Sequence, residues 1–107
     1  MKNLSAFFRS LIRSIFRIRV IFEDGTWIEF LNREAVLYGE PDGHRMEITW
    51  YFKPGRMRDR VLYSRDMKRW NIPYELEEVL PEKQIQIRQK LVRYCQRKRI
   101  LLEIKES

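Results

Sequence analysis

The sequence predicts an α+β fold, with a mainly antiparallel β-sheet of about five to six strands, a C-terminal helix packed on one face and an N-terminal amphipathic helix. Three observations lead to this prediction. Apolar residues recur at helical spacing in 1–15 and 81–99, apolar and polar residues alternate through much of 16–64, and turn-forming residues separate the alternating stretches. With 107 residues, the chain has the size of a single domain, 1–107.

Residues 1–15 are predicted to form the N-terminal helix because their large apolar side chains are spaced three and four apart. The stripe consists of Leu4, Phe7, Phe8, Leu11, Ile12 and Ile15. Arg9 and Arg13 lie beside it, so the helix could rest on an acidic membrane surface. The favoured interpretation is that it docks on the sheet or forms a contact between two chains.

Residues 16–64 are predicted to form a β-meander. Asp24-Gly25 lies between two alternating stretches, which is the strongest short-range signal for a hairpin because both positions tolerate positive φ. The predicted strands are 16–22, 26–31, 35–38, 45–52 and 60–64. In the fourth strand, one face carries Met46, Ile48, Trp50 and Phe52, and the other carries Arg45, Glu47, Thr49 and Tyr51.

Beyond residue 64 the pattern becomes helical again only at Pro81, which suits the first turn of a helix. The intervening segment contains Ile72-Pro73, which favours extended or turn geometry. The predicted helix, 81–99, has a stripe formed by Ile85, Arg88, Leu91, Val92 and Cys95. Alternation over 100–105 predicts a final strand.

The net charge of +7 is concentrated in the segments 1–22, 53–69 and 88–99. Such a field speeds association with an acidic partner. A single cysteine, Cys95, excludes an internal disulfide framework and favours a reducing compartment, so a cytoplasmic location is expected. The sequence contains no apolar stretch of about 18 residues, and no membrane span is therefore predicted.

No combination of residues suggests catalysis. His44 is the only histidine and lies in a predicted turn, while Cys95 lies on the helical stripe and is interpreted as a core residue. One histidine and one cysteine do not supply a usual zinc site, and there is no glycine-rich phosphate loop. We therefore expect no catalytic residues, no metal and no cofactor, and we expect a protein that acts by binding.

Aromatic and basic residues interleave between Trp50 and Tyr63, as they do on surfaces that bind single-stranded nucleic acid. In the favoured interpretation, Trp50 and Phe52 belong to a buried strand face and the arginines lie in a solvated loop. A basic nucleic-acid-binding accessory protein remains the alternative function.

The segment from Val61 to Pro73, followed by Glu75–Glu78 and a helix from Glu82, resembles a family of immunity proteins of bacterial polymorphic toxin systems, the one numbered seventy-four. The matching motif residues are Tyr63, Ser64, Trp70 and Pro73. The resemblance covers roughly residues 17 to 105. The chain departs from the family pattern in its N-terminal helix, in a longer and more basic stretch over 44–60, and in Tyr74, where a histidine is expected.

The resemblance implies a protein that neutralises a cognate toxin in a stoichiometric complex by occluding its active site. The toxin would be encoded beside it. Aromatic and arginine anchors with charged surroundings are typical of such interfaces, and the candidate toxin-binding residues are Tyr51, Arg56, Arg58, Arg60, Arg65, Lys68 and Arg69. The basic charge suggests an acidic toxin face, hence an enzyme other than a nuclease, with an ADP-ribosyltransferase as the first guess.

Overall fold

The computed structural model describes residues 19–106. The helix predicted over 1–15 lies outside the described residues. The described elements are β1 (Arg19–Ile21), β2 (Trp27–Asn32), β3 (Ala35–Gly39), β4 (Arg45–Lys53), β5 (Arg56–Tyr63), a 3-10 helix (Ser64–Met67), α1 (Pro81–Lys98) and β6 (Leu102–Lys105). Between residues 19 and 106, no helix is long and apolar enough to cross a membrane.

The six strands form one sheet in the order β1-β2-β3-β4-β5-β6. Neighbours from β1 to β5 are antiparallel and are joined by short turns, as predicted. The last pair, β5 and β6, is parallel. A parallel neighbour requires a long crossover, and the chain makes it through the 3-10 helix and α1. The α+β class and the mainly antiparallel sheet are thus confirmed, and the sheet as a whole is mixed.

The hairpin predicted at Asp24-Gly25 is present. Gly25 has φ of 84°, and Asp24 Oδ1 accepts hydrogen bonds from the backbone N–H of Thr26 at 3.0 Å and from its hydroxyl at 2.6 Å. Asp24 also contacts the ammonium of Lys90 on α1. The turn is therefore attached to the helix as well as to its own strands.

One face of the sheet, which we call the inner face, packs against α1. The strand side chains on it alternate with more exposed ones, and those with no exposed surface include Ile28, Val36, Met46, Ile48, Trp50 and Leu62. Leu102 and Ile104 of β6 pack against the same core, while Leu101 is 59% exposed. The predicted alternation over 100–105 is therefore confirmed.

The predicted apolar stripe of the C-terminal helix is wrong in part. Ile85 is 54% exposed and Val92 is 38% exposed. The buried residues of α1 are Ile87, Leu91, Tyr94 and Cys95. Leu91 and Cys95 belong to both the predicted and the buried stripe, and the buried stripe is rotated by about 80° from the predicted one on an ideal helix. This rotation buries the large ring of Tyr94 and the side chain of Ile87 and leaves Ile85 and Val92 toward solvent.

The opposite face, the outer face, is partly covered by its own side chains. The Trp27 ring lies directly over Gly39, where a Cβ atom would come within 2.2 Å of the ring. The guanidinium carbons of Arg19 and Arg45 lie 3.9 Å and 5.4 Å from the ring centroid. Trp27 is consequently 9% exposed although it is not part of the core cluster.

Candidate partner-binding surface

Two tyrosines and an arginine form an accessible group on the outer face of β4 and β5. Because Trp50 and Leu62 point to the core, their neighbours Tyr51 and Tyr63 point outward. The two rings meet edge to face, with centroids 5.4 Å apart and planes at 71°. Arg65 Cζ lies 4.4 Å from the Tyr63 centroid. We call these three residues the tyrosine–arginine cluster.

Four further basic residues lie between or after the members of this cluster in the sequence. Arg56 and Arg58 are exposed at the β4–β5 hairpin, where Arg56 forms an ion pair of 3.7 Å with Asp59. Lys68 and Arg69 are exposed just after the 3-10 helix. Within residues 19–106, no ion pair is found for Arg58, Lys68 or Arg69, so these cations are available to steer an acidic partner.

Arg60 does not join the surface group predicted from the sequence. It lies two residues before Leu62, so strand alternation puts it on the inner face, and it is only 8% exposed. Its guanidinium carbon lies 4.1 Å from the Phe52 ring centroid and 5.4 Å from that of Trp50. Burial lowers the pKa of the guanidinium. Arg60 thus contributes to packing in this conformation.

The four motif residues lie where the chain leaves the sheet. Tyr63 ends β5 and Ser64, which is 5% exposed, begins the 3-10 helix. Trp70 is 4% exposed, and its ring centroid lies 6.2 Å from that of Tyr38 in the core. Pro73 follows a cis peptide bond in the exposed part of the loop.

His44 has a set of partners that the sequence did not reveal. Its ring stacks on Tyr74 with centroids 3.7 Å apart and meets Trp70 edge to face at 5.0 Å. Nε2 lies 2.7 Å from Glu77 Oε2, and Nδ1 lies 2.9 Å from Asp42 Oδ1. The hydrogen bond with Glu77, supported by Asp42, raises the pKa of His44. We call His44 with Asp42, Tyr74 and Glu77 the His44 clamp.

The clamp joins the β3–β4 turn to the loop that precedes α1. The turn itself is visible in Pro41-Asp42-Gly43, but Glu77 is 33 residues from His44 in the chain, and no local pattern indicates this pairing. Tyr74 occupies the position at which the family resemblance leads us to expect a histidine. In the structure, a histidine ring does lie against this position, and it is supplied by residue 44.

The same region contains a group of potential metal ligands. Glu40, Asp42 and His44 bring ligand atoms within 4.8 Å of one another. Glu40 Oε2, however, already accepts hydrogen bonds from Lys83 Nζ at 2.6 Å and from the Tyr38 hydroxyl at 2.7 Å. A metal ion at this carboxylate would face a nearby ammonium, so the group is better suited to a hydrogen-bonded ionic network than to a metal.

Both side chains considered for catalysis are occupied in the described part of the chain. The two ring nitrogens of His44 face carboxylates, and Cys95 is 1% exposed with its thiol pKa raised to about 12 by burial. Comparison of the chain with protein-family models, with curated proteins and with solved structures finds no match.

Proposed function

We propose that this protein binds a protein toxin and neutralises it by covering the toxin's active site. The observation that carries the proposal is the tyrosine–arginine cluster. Tyrosine and arginine are among the residues most enriched in the energetic centres of protein interfaces, because they combine large contact area with polar groups at their tips. Here the two rings are held on neighbouring strands, so binding costs them little conformational freedom.

The charge around the cluster supports an acidic binding partner. The exposed cations at the hairpin and after the 3-10 helix would speed encounter with such a surface and disfavour basic ones. Nucleases present basic grooves to nucleic acid, so the toxin we propose is an enzyme of another class. An ADP-ribosyltransferase with catalytic glutamates is the first guess. The complex would form in the cytoplasm of the cell that produces both proteins.

The test is co-expression and purification with the product of the adjacent gene. We expect co-purification, rescue of growth, and at least about a tenfold rise in Kd when Arg65 is replaced by Ala. Arg97→Ala is the matched control, because Arg97 is an exposed arginine on α1. We expect it to change Kd by less than about threefold. Equal affinities for the two variants would contradict a role for the cluster, and degradation of RNA or DNA by the toxin would contradict the proposed toxin class.

A nucleic-acid-binding function is the second candidate, and one observation favours it. Tyr51 and Tyr63 are neighbouring rings on a sheet surface with an arginine beside them, as in surfaces on which bases stack. Trp50, in contrast, has no exposed surface and is not available for stacking. Titration with fluorescent oligonucleotides at about 0.15 M salt separates the two functions, since tight and steeply salt-dependent binding would favour this candidate.

A further inference from the structure

The loop between the 3-10 helix and α1 presents large apolar side chains to solvent. Ile72 is 83% exposed and Leu76 is 95% exposed. Single exposed apolar residues are common on protein surfaces. These two lie four residues apart in an acidic segment, and Ile72 also lines a groove.

The backbone of this loop is firmly attached to the rest of the domain. The N–H of Asn71 donates to the Arg45 carbonyl at 2.7 Å, and Asn71 Oδ1 accepts from the N–H of Glu47 at 3.0 Å. Trp70 and Val79 are buried on either side, and the His44 clamp holds the middle of the loop. The exposed apolar side chains are therefore carried on an ordered support, which lowers the entropic cost of a contact made through them.

A shallow groove of about 530 Å³ lies beside Ile72. Its walls are formed by Glu47, Arg69, Trp70, Asn71, Ile72 and Glu75. Residues 71–80 include Glu75, Glu77 and Glu78 and no basic residue, so this segment carries −3 in a chain of +7. The walls of the groove thus combine the apolar Trp70 and Ile72 with two carboxylates and one guanidinium, next to an acidic segment of a basic protein.

The groove and the tyrosine–arginine cluster share the outer side of β4. Glu47 and Tyr51 point to the same face of that strand, because side chains alternate with a period of two. Four residues of strand span about 13 Å. A standard interface covers about 800 Å² on each partner, which is enough to include both features.

We infer that the groove beside Ile72 is the second half of the toxin-binding surface and that it accepts an apolar side chain of the toxin flanked by lysine or arginine. The inference rests on the proposed function. The partner is identified by charge complementarity with the two wall carboxylates, Glu47 and Glu75, which outnumber the one wall cation, Arg69, beside the apolar Trp70 and Ile72. The toxin face is then not uniformly acidic: it carries an acidic area opposite Arg65 and a basic one opposite Glu47, which lies about 13 Å along β4 from Tyr51.

The experiment measures Kd between the full chain and the purified toxin encoded by the adjacent gene. We expect Ile72→Ser and Glu75→Lys each to raise Kd at least about tenfold. Ile85→Ser is the matched control, since Ile85 is 54% exposed on the solvent side of α1, and we expect it to leave Kd within about twofold. Melting curves check that the variants stay folded. Because Ile72 is exposed, we expect Ile72→Ser to leave the fold intact.

The possible results separate the two proposals. Suppose that the wild type binds the toxin and that Arg65→Ala weakens this binding but Ile72→Ser does not. The groove is then not part of the interface, and the inference is wrong while the proposed function stands. If the wild type does not bind the toxin, both fall. If both sites contribute independently, the fold-changes of Arg65→Ala and Ile72→Ser multiply in the double variant.

Discussion

Gly39→Ala tests the description of the outer face most directly. The new Cβ would lie 2.2 Å from two atoms of the Trp27 ring, so the ring must retreat by about 1.2 Å to reach the 3.4 Å of ordinary contact. Arg19 and Arg45 lie against that ring and oppose the movement. Forcing extra volume into a packed site costs about 1–3 kcal/mol, so we expect a loss of about 2 kcal/mol and a fall of about 10 °C in Tm.

The assay is urea unfolding followed by tryptophan fluorescence and circular dichroism. In a Trp27→Ala background the same Gly39→Ala change should cost almost nothing, because the ring that the Cβ meets is gone. Gly39, unlike Gly55 with its φ of 77°, has no positive φ, so the cost of Gly39→Ala is expected to come from the contact with Trp27 and not from backbone strain. An unchanged stability of Gly39→Ala in the wild-type background would refute the close contact with Trp27.

Three further predictions concern titratable groups. The carboxylate partners of His44 raise its pKa, so the stability that His44 contributes is complete below about pH 6.5 and is lost as pH rises through the folded-state pKa. The difference in unfolding free energy between wild type and His44→Gln, measured by urea unfolding, should therefore shrink from pH 5.5 to pH 9. A difference that widens over this range would contradict the clamp. Lys90 and Thr26 lower the pKa of Asp24, so the stability that Asp24 contributes is present above about pH 4 and is lost on acidification. The difference in unfolding free energy between wild type and Asp24→Asn should narrow between pH 6 and pH 2. Burial raises the pKa of Cys95 to about 12, and the thiol should react with a disulfide reagent at pH 8 only after unfolding; rapid labelling of the native protein would show that Cys95 is accessible.

Much of the fold followed from local patterns. The alternation in β4 assigned Met46, Ile48 and Trp50 to one apolar face, and all three are fully buried. The glycine turn at Asp24-Gly25 predicted the first hairpin correctly. Turns and strand faces are determined by interactions over a few residues, and such interactions can be recognised in the sequence.

The candidate site was predictable only in part. The position of Tyr51 on the outer face follows from the strand pattern, but its ring contact with Tyr63 depends on the register between two strands. Arg60 appeared equivalent to its basic neighbours in the sequence. Val61 and Leu62 are both apolar, so the sequence of β5 does not show which alternating set faces the core, and pairing with β4 puts Leu62 and Arg60 there.

Sequence alone determined the α+β class, the order of the described strands and of α1, and the basic character of the hairpin, because periodicity, turn chemistry and charge are properties of neighbouring residues. Only the tertiary structure decided how α1 is rotated against the sheet, that β6 pairs in parallel with β5, and that His44 binds Glu77 across 33 residues. Each of these depends on which distant surfaces bury the most apolar area and satisfy the most polar groups together, and such contacts exist only once the chain is folded.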